Sequence, residues 1–540
     1  MIDVADDSLI EALKKRALYD HDVDGFEVIE THISWVLLTG QYAYKIKKPV
    51  DFGFLDFSTL ADRRYYCYEE LELNQRFAPD IYLDVVSIGG TVEQPEFGAS
   101  SVLEYAVKMR QFRQEELLSR IAQRGELTEA HCEQIAQVLA GFHGRTKQAD
   151  YSNKFGSSRH VLYWVNENFS HIEPMLRQDD DICRLQNIKQ WAENASRYLS
   201  SVMESRKQQG FVRECHGDLH LGNMAYLDSK ITFFDCIEFS EDLRWIDVIN
   251  EAAFVAMDIA ERGYQALSWR FLNRYLQETG DYASLVLYRY YYVYRALVRA
   301  KVALLKTAEV ELAGGDAQAE WLEYRAYIDL ASSQITKSTP QIIIMQGFSG
   351  SGKSTVARRV ADVVGGIHVR SDLERKRMFN IELTASSHSE LNAGIYSTQT
   401  SVNVYQQLHR FCRHIVDAGY TVIVDATFLK LAQRDQFKAL ADSLSLPFSI
   451  LSVQAPVDLL RQRVRSRSEQ ANDPSEANED VLNAQLNSHE DLAERELRYT
   501  IVIDNSNGFS DVQLNELADS LCQRSVDNRS GKADIGISAQ

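Results

Sequence analysis

Gly347-Phe-Ser-Gly350-Ser351-Gly352-Lys353-Ser354-Thr355 follows the apolar run Ile342 to Met345, which Pro340 starts. It fills G-x-x-x-x-G-K-[ST] at every fixed position, in the order strand, glycine loop, helix that a phosphate cradle needs. Backbone N–H groups freed by Gly347, Gly350 and Gly352 can point at phosphate oxygens, and the dipole of the helix opening near Lys353 adds positive potential there. Lys353 would reach the β- and γ-phosphates and Ser354 would hold Mg²⁺, with Ser351 and Thr355 completing the loop. The reading is a binding site for ATP or GTP.

A second signature lies upstream. His216-Gly-Asp218-Leu-His-Leu-Gly-Asn223 is followed, one short strand later, by Thr232-Phe-Phe-Asp235. The spacing H-x-D-x-x-x-x-N, then an apolar strand ending in Asp, is how a protein-kinase-like site places a base and two metal ligands. Asp218 would accept the proton of an acceptor hydroxyl, and Asn223 and Asp235 would hold Mg²⁺. Singly, each residue has a buried or loop-capping alternative; as a set they point to metal-dependent phosphoryl transfer.

At 540 residues the chain is too long for one ordinary core. A formal charge of −19 argues against a dedicated nucleic-acid binder, whose footprint is basic, without excluding a local basic groove. The seven cysteines are scattered with no C-x-x-C pair, which fits neither a metal cluster nor a disulfide framework. No signal peptide and no apolar run long enough to span a membrane is visible. These features suit a cytoplasmic protein.

Phe26 to Glu30, Ile33 to Leu38 and Tyr42 to Lys47 read as strands, with Thr39-Gly40-Gln41 turning the last two into a hairpin. Leu60 to Phe77 reads as a helix, and strands return near Ile81 to Ile88 and Val102 to Val107. This is the element order of a kinase N-lobe, and helices dominate from Thr128 to Leu330 apart from the segment carrying the second signature. Ser332 to Pro340 reads as a linker. Beyond it, strands alternate with helices, which predicts a parallel sheet covered on both faces. The fold class is therefore an α+β kinase-like domain over residues 1–335, then an α/β P-loop domain over 338–524. Residues 525–540 read as a disordered tail.

An ATP site of the first type needs a strand lysine paired with a helix glutamate. Lys45 sits where the third strand should carry it, with Lys47 on the same face as the fallback. Glu70 is the expected partner, with Glu69 and Glu72 as alternatives. The turn Thr31-His-Ile-Ser34 lacks glycine, so Ser34 or backbone N–H groups would have to cover the phosphates. In the Tyr- and Arg-rich stretch Leu285 to Leu305, which packing mostly explains, Arg295, Arg299 and Lys301 are weaker candidates for a substrate-facing surface. HGDLHLGN with FFDCIEF resembles the aminoglycoside phosphotransferase and choline kinase group. TGQYAYKIKKPVDFGFLDFS with YRALVRAKVALL resembles bacterial fusions of such a domain with a P-loop domain. That resemblance implies ATP-dependent phosphorylation of a small hydroxylated molecule and, being one of fold, does not imply drug resistance.

In the second half, Thr421 to Val424 is an apolar run ending in Asp425, which fits a carboxylate acting on Mg²⁺. Asp372, in Arg370-Ser-Asp-Leu-Glu-Arg375, can take a proton from an acceptor, and Arg375 one turn on can grip it. Leu459 to Arg467 carries Arg461, Arg463, Arg465 and Arg467. Arg463 and Arg467 share one side of a helix and would bring positive charge to the transferring phosphoryl group; a solvated basic face is the alternative. This half resembles the small P-loop kinases, including polynucleotide 5′-kinase, zeta toxins and gluconate kinase. The expectation is a bifunctional phosphotransferase using ATP and Mg²⁺ on small-molecule acceptors, with oligomeric state open. Its rivals are a regulatory protein with a ligand-binding pseudokinase domain and a polynucleotide 5′-end kinase.

Overall fold

The computed structural model describes residues 7–53, 55–336, 339–382, 398–470 and 477–530, with only the backbone of 398, 468–470 and 525–530. It divides into two compact units: residues 1–138, 145–166 and 200–258, and residues 139–144, 167–199 and 259–540. The second unit thus takes in helices that precede the Ser332 to Pro340 stretch. Among the described residues no helix is long and apolar enough to cross a membrane.

The first unit is built on an antiparallel sheet in the order β1 (Glu27–Glu30), β2 (Ser34–Leu38), β3 (Tyr42–Lys47), β6 (Val102–Arg110), β4 (Tyr82–Gly90) and β5 (Pro95–Phe97). Register follows from the three-residue turn at Gly40, which sets Trp35 opposite Ile46 and Leu37 opposite Tyr44. Those four side chains join one core with Leu9, Ile10 and Leu13. Because strand side chains alternate, Lys45 and Lys47 face the other way. There they meet the helix Leu60–Gln75, capped by Thr59, whose side chain accepts from Asp62 N–H. Arg63, Cys67, Glu70 and Asn74, spaced for one helical face, are its buried stripe.

The rest of this unit includes β7 (Val212–Glu214), the hairpin of β8 (Met224–Leu227) with β9 (Lys230–Phe233), β10 (Trp245–Asp247) and the start of the helix Val248–Glu261.

In the second unit five parallel strands run in the order β12 (Ile367–Arg370), β13 (Val422–Asp425), β11 (Ile342–Gln346), β14 (Phe448–Gln454) and β15 (Thr500–Asp504). Ile342 to Met345 have no exposed surface, as a central strand covered on both faces requires. The helix Lys353–Val364 packs Val356, Ala357, Val360 and Ala361 onto Ile343, Met345 and Ile423. The helix Leu285–Leu312 buries all five of its tyrosines. Its Arg295 is buried, Arg299 donates to Tyr327 Oη at 3.2 Å, and Lys301 pairs with Glu167 at 2.9 Å, so packing accounts for this stretch. The last helix, Asp511–Ser530, reaches five residues past the expected start of a disordered tail; residues 531–540 lie outside the described residues.

Candidate active sites

Lys45 Nζ donates to Glu70 Oε1 at 2.8 Å and to Asp235 Oδ1 at 2.5 Å. Lys47 Nζ donates to Glu70 Oε2 at 2.7 Å and also pairs with Glu238. The expected lysine, its fallback and the expected glutamate therefore form one buried cluster. Burial alone would raise the Glu70 carboxyl, but the two ammonium groups outweigh it and hold it at about 2. Of the alternative partners, Glu69 lies 3.8 Å from Arg244; among the described residues Lys45 pairs with Glu70 and Asp235 instead.

Asp235 has φ +62, an uncommon conformation for a residue other than glycine. Its N–H donates to Tyr82 Oη at 3.0 Å, and the next N–H, of Cys236, donates to Asn74 Oδ1 at 2.8 Å. Asn223 Nδ2 donates to the Asp218 carbonyl at 2.9 Å and lies 3.3 Å from Asp218 Oδ2. Asn223 thus offers its amide oxygen, and Asp235 its carboxylate, as the hard oxygen donors a divalent cation such as Mg²⁺ takes.

His216 is buried, which keeps its ring below the ordinary histidine value. Nε2 faces the Phe234 carbonyl at 2.8 Å and Nδ1 the Asp218 N–H at 3.4 Å. The neutral ring with its proton on Nε2 satisfies both, and ties the Asp218 loop to the strand end before Asp235.

In the second unit, Gly352 (φ +90) caps the helix Lys353–Val364. A Cβ there would lie 2.1 Å from Asn505 Nδ2, and one at Gly350 would lie 2.7 Å from the Leu460 carbonyl, so the loop requires glycine at both. Ser351 Oγ is buried with no hydrogen-bond partner among the described residues, as a group awaiting a ligand in the cradle would be. Lys353 Nζ donates to the Phe348 carbonyl at 2.8 Å. Burial lowers its pKa, and Asp425, Asp372 and Arg467 are near enough for their charges to act on it.

Asp425 ends β13, buried, opposite Arg370 in register. His368 Nε2 lies 3.2 Å and Arg370 Nε 3.8 Å from its Oδ2. Burial pushes this carboxyl up, but the His368 hydrogen bond and the neighbouring positive charges hold it at about 2. An ionised carboxylate whose charge reaches Lys353, the residue before the half-buried Ser354, suits Mg²⁺. Asp372 lies in the first turn of the helix Ser371–Met378, and the buried Arg375 reaches Ser401 Oγ at 3.5 Å. Arg463 and Arg467 share a face of the helix Val457–Gln470 but have different partners. Arg463 donates to the carbonyls of Asn505 at 2.9 Å and Gly350 at 3.5 Å, and Arg467 to that of Ala477 at 3.0 Å. Arg465 pairs with Glu479 at the surface. Thr355 is exposed.

Residues 103–288 match the phosphotransferase enzyme family and residues 342–492 match the AAA domain family. Uncharacterized proteins of Mycobacterium tuberculosis (strain H37Rv) and Mycobacterium bovis are each 30% identical over 445 residues, covering 82% of this chain and 86% of theirs. The chain belongs to this family of fused phosphotransferase and AAA-domain proteins. The fusion read from its motifs is thereby established, and the protein is an enzyme of the kinase class. A choline kinase from Cryptosporidium parvum Iowa II is similar over 61% of this chain and 95% of its own, at 11% identity and TM-score 0.39. A gluconokinase from Sinorhizobium meliloti 1021 is similar over 35% and 99%, at 20% identity and TM-score 0.24.

Several residues that build the two sites escaped the motifs. Glu251 and Asp258, on the helix Val248–Glu261, accept from the N–H groups of Gly217 and Leu221 at 2.7 and 2.9 Å. Their seven-residue spacing in a mostly apolar helix was the available signal. Gln485 brackets Ser349, accepting from its N–H at 2.9 Å and donating to its Oγ at 3.0 Å, and Asn505 Nδ2 donates to the Ser351 carbonyl at 2.7 Å.

Proposed function

We propose that both sites of the fusion protein transfer a phosphoryl group from ATP to a hydroxyl of a small molecule. The first site rests on one observation above all: Lys45, held by Glu70, reaches Asp235, while Asn223 and Asp218 share a hydrogen bond beside it. In this reading Lys45 binds the α- and β-phosphates, Asn223 and Asp235 hold Mg²⁺, and Asp218 accepts the acceptor's proton. At the second site the glycine loop and Lys353 bind phosphates, Ser354 and Asp425 hold Mg²⁺, Asp372 takes the acceptor's proton, and Arg375 orients the acceptor. Bound Mg²⁺ would neutralise phosphate charge at each site. Arg467, near Lys353, adds positive charge to the transferring group, and Arg463 holds the loop carbonyl of Gly350. A cytoplasmic location belongs to the same reading, supported by seven free cysteines.

The test is an acceptor screen with radiolabelled ATP on the full chain and on its Asp218→Asn and Lys353→Ala variants. Each variant should lose one set of labelled products. Transfer that survives in the double variant would overturn the assignment. One observation favours a non-catalytic first domain: Ser34 is buried and its Oγ bonds Thr31 Oγ1 at 2.9 Å, engaged at the place where a phosphate-covering group is expected. Mg·ATP binding without any acceptor-dependent turnover in the Lys353→Ala chain would decide for that reading.

A further inference from the structure

We propose that Gln277, on the helix Gln265–Thr279 within the segment matched to phosphotransferases, is a positioning residue for the P-loop site, acting through His368 on Asp425. This rests on the reading of Asp425 as the carboxylate that binds Mg²⁺. Gln277 Nε2 donates to the His368 carbonyl at 3.1 Å and lies 3.4 Å from ring Nδ1. One helical turn earlier on the same face, Asn273 Oδ1 accepts from His368 N–H at 2.7 Å and Nδ2 donates to the Gly366 carbonyl at 2.9 Å. All three side chains are buried.

The consequence is geometric. Gln277 presents a donor to Nδ1, so the neutral ring carries its proton on Nε2, and that N–H faces Asp425 Oδ2 at 3.2 Å. Arg370 approaches the same oxygen. Oδ2 is thus taken up by the protein, and Oδ1 is the oxygen presented to a cation. Partners that orient a metal ligand in this way typically change metal affinity about 10- to 100-fold when removed.

The attachment of this helix is broader than one amide. Arg270 Nε pairs with Asp362 at 2.9 Å near the C-terminal end of the P-loop helix, and Arg377, on the helix that carries Asp372, donates to the Gln277 carbonyl at 2.5 Å. A residue outside the AAA-domain match therefore completes the site inside it.

The test uses the full chain carrying Asp235→Asn, which silences the upstream metal site. Mn²⁺ affinity in the presence of ADP is measured by calorimetry, and ADP affinity is measured separately in EDTA. Gln277→Met keeps length and removes the donor; Gln277→Leu is the second variant. Both should weaken Mn²⁺ binding about 10-fold and leave metal-free ADP affinity unchanged. Mn²⁺ affinity within twofold of the parent, or a parallel loss of metal-free ADP affinity, overturns the proposal. Should neither apolar variant fold, Gln277→Asn, which keeps the amide but draws its donor back by one methylene, decides by the same criterion. Asp425→Asn separates the two levels. Parent-like Mn²⁺ affinity there overturns the metal reading of Asp425, whereas weakened affinity there with parent-like affinity in the Gln277 variants overturns the role of Gln277 alone.

Discussion

The backbone N–H of Gly217 donates to Oε1 of Glu251 at 2.7 Å, inside the protein. With Asp258 holding Leu221 N–H from the same helix, the loop that carries Asp218 is fixed at two points by buried carboxylates. Glu251→Ala should destabilise the chain by about 1–3 kcal/mol, the cost of an orphaned buried donor, and lower first-site turnover. Glu251→Gln, which keeps an acceptor, should recover part of both. Urea unfolding and acceptor-dependent ADP release are the measurements; equal effects of the two substitutions would mean the acceptor atom is not what matters.

Asp218→Asn and Asp235→Asn should fail differently. The first should retain Mg·ATP binding and lose transfer, on the order of 10²–10⁴-fold for a missing base. The second should weaken Mg·ATP binding itself, because it removes a charged donor. Calorimetry paired with turnover separates them, and the same loss of affinity in both would merge the two roles.

Lys353→Ala should nearly abolish second-site turnover without unfolding the chain, since among the described residues the lysine's hydrogen bond goes to the Phe348 carbonyl of its own loop. Lys353→Arg should rescue poorly, because a planar fork does not replace a point charge in a backbone cradle. Wild-type turnover in the alanine variant would remove the P-loop from the chemistry.

Asp372→Asn should lower acceptor-dependent transfer far more than ATP affinity, while Asp425→Asn should raise the Mg²⁺ concentration needed for half-maximal rate. A shift of the Mg²⁺ requirement in the Asp372 variant would move that residue to the metal.

Glu70 supplies a pH signature. Its folded pKa of about 2 lies below the ordinary 4.5, so its stabilisation is complete above about pH 4.5 and is lost as pH falls from there toward 2. Glu70→Gln should flatten that part of the stability curve. At neutral pH it should cost about 3–5 kcal/mol, because it leaves Lys45 and Lys47 buried without their shared carboxylate. Stability measured by urea unfolding across pH 3 to 7 tests both. An unchanged acid slope would sink the pairing.

GFSGSGKST and HGDLHLGN could be read directly because the roles proposed for them, phosphate binding and base plus metal binding, are local: the groups lie within one short loop each, and spacing alone fixes their relation. Lys45 and Glu70 were legible for a related reason, since strand alternation and helical periodicity say which face each occupies before any partner is known. Other residues depend on distance in sequence. Glu251 and Asp258 bind backbone N–H groups more than thirty residues away, and Gln277 and Asn273 bind a strand more than ninety residues away. A polar residue in an apolar helix announces only that it will need a partner. Which backbone group satisfies it depends on how the helices pack, and for this reason only the tertiary structure assigned the helix Gln265–Thr279 to the same compact unit as the P-loop.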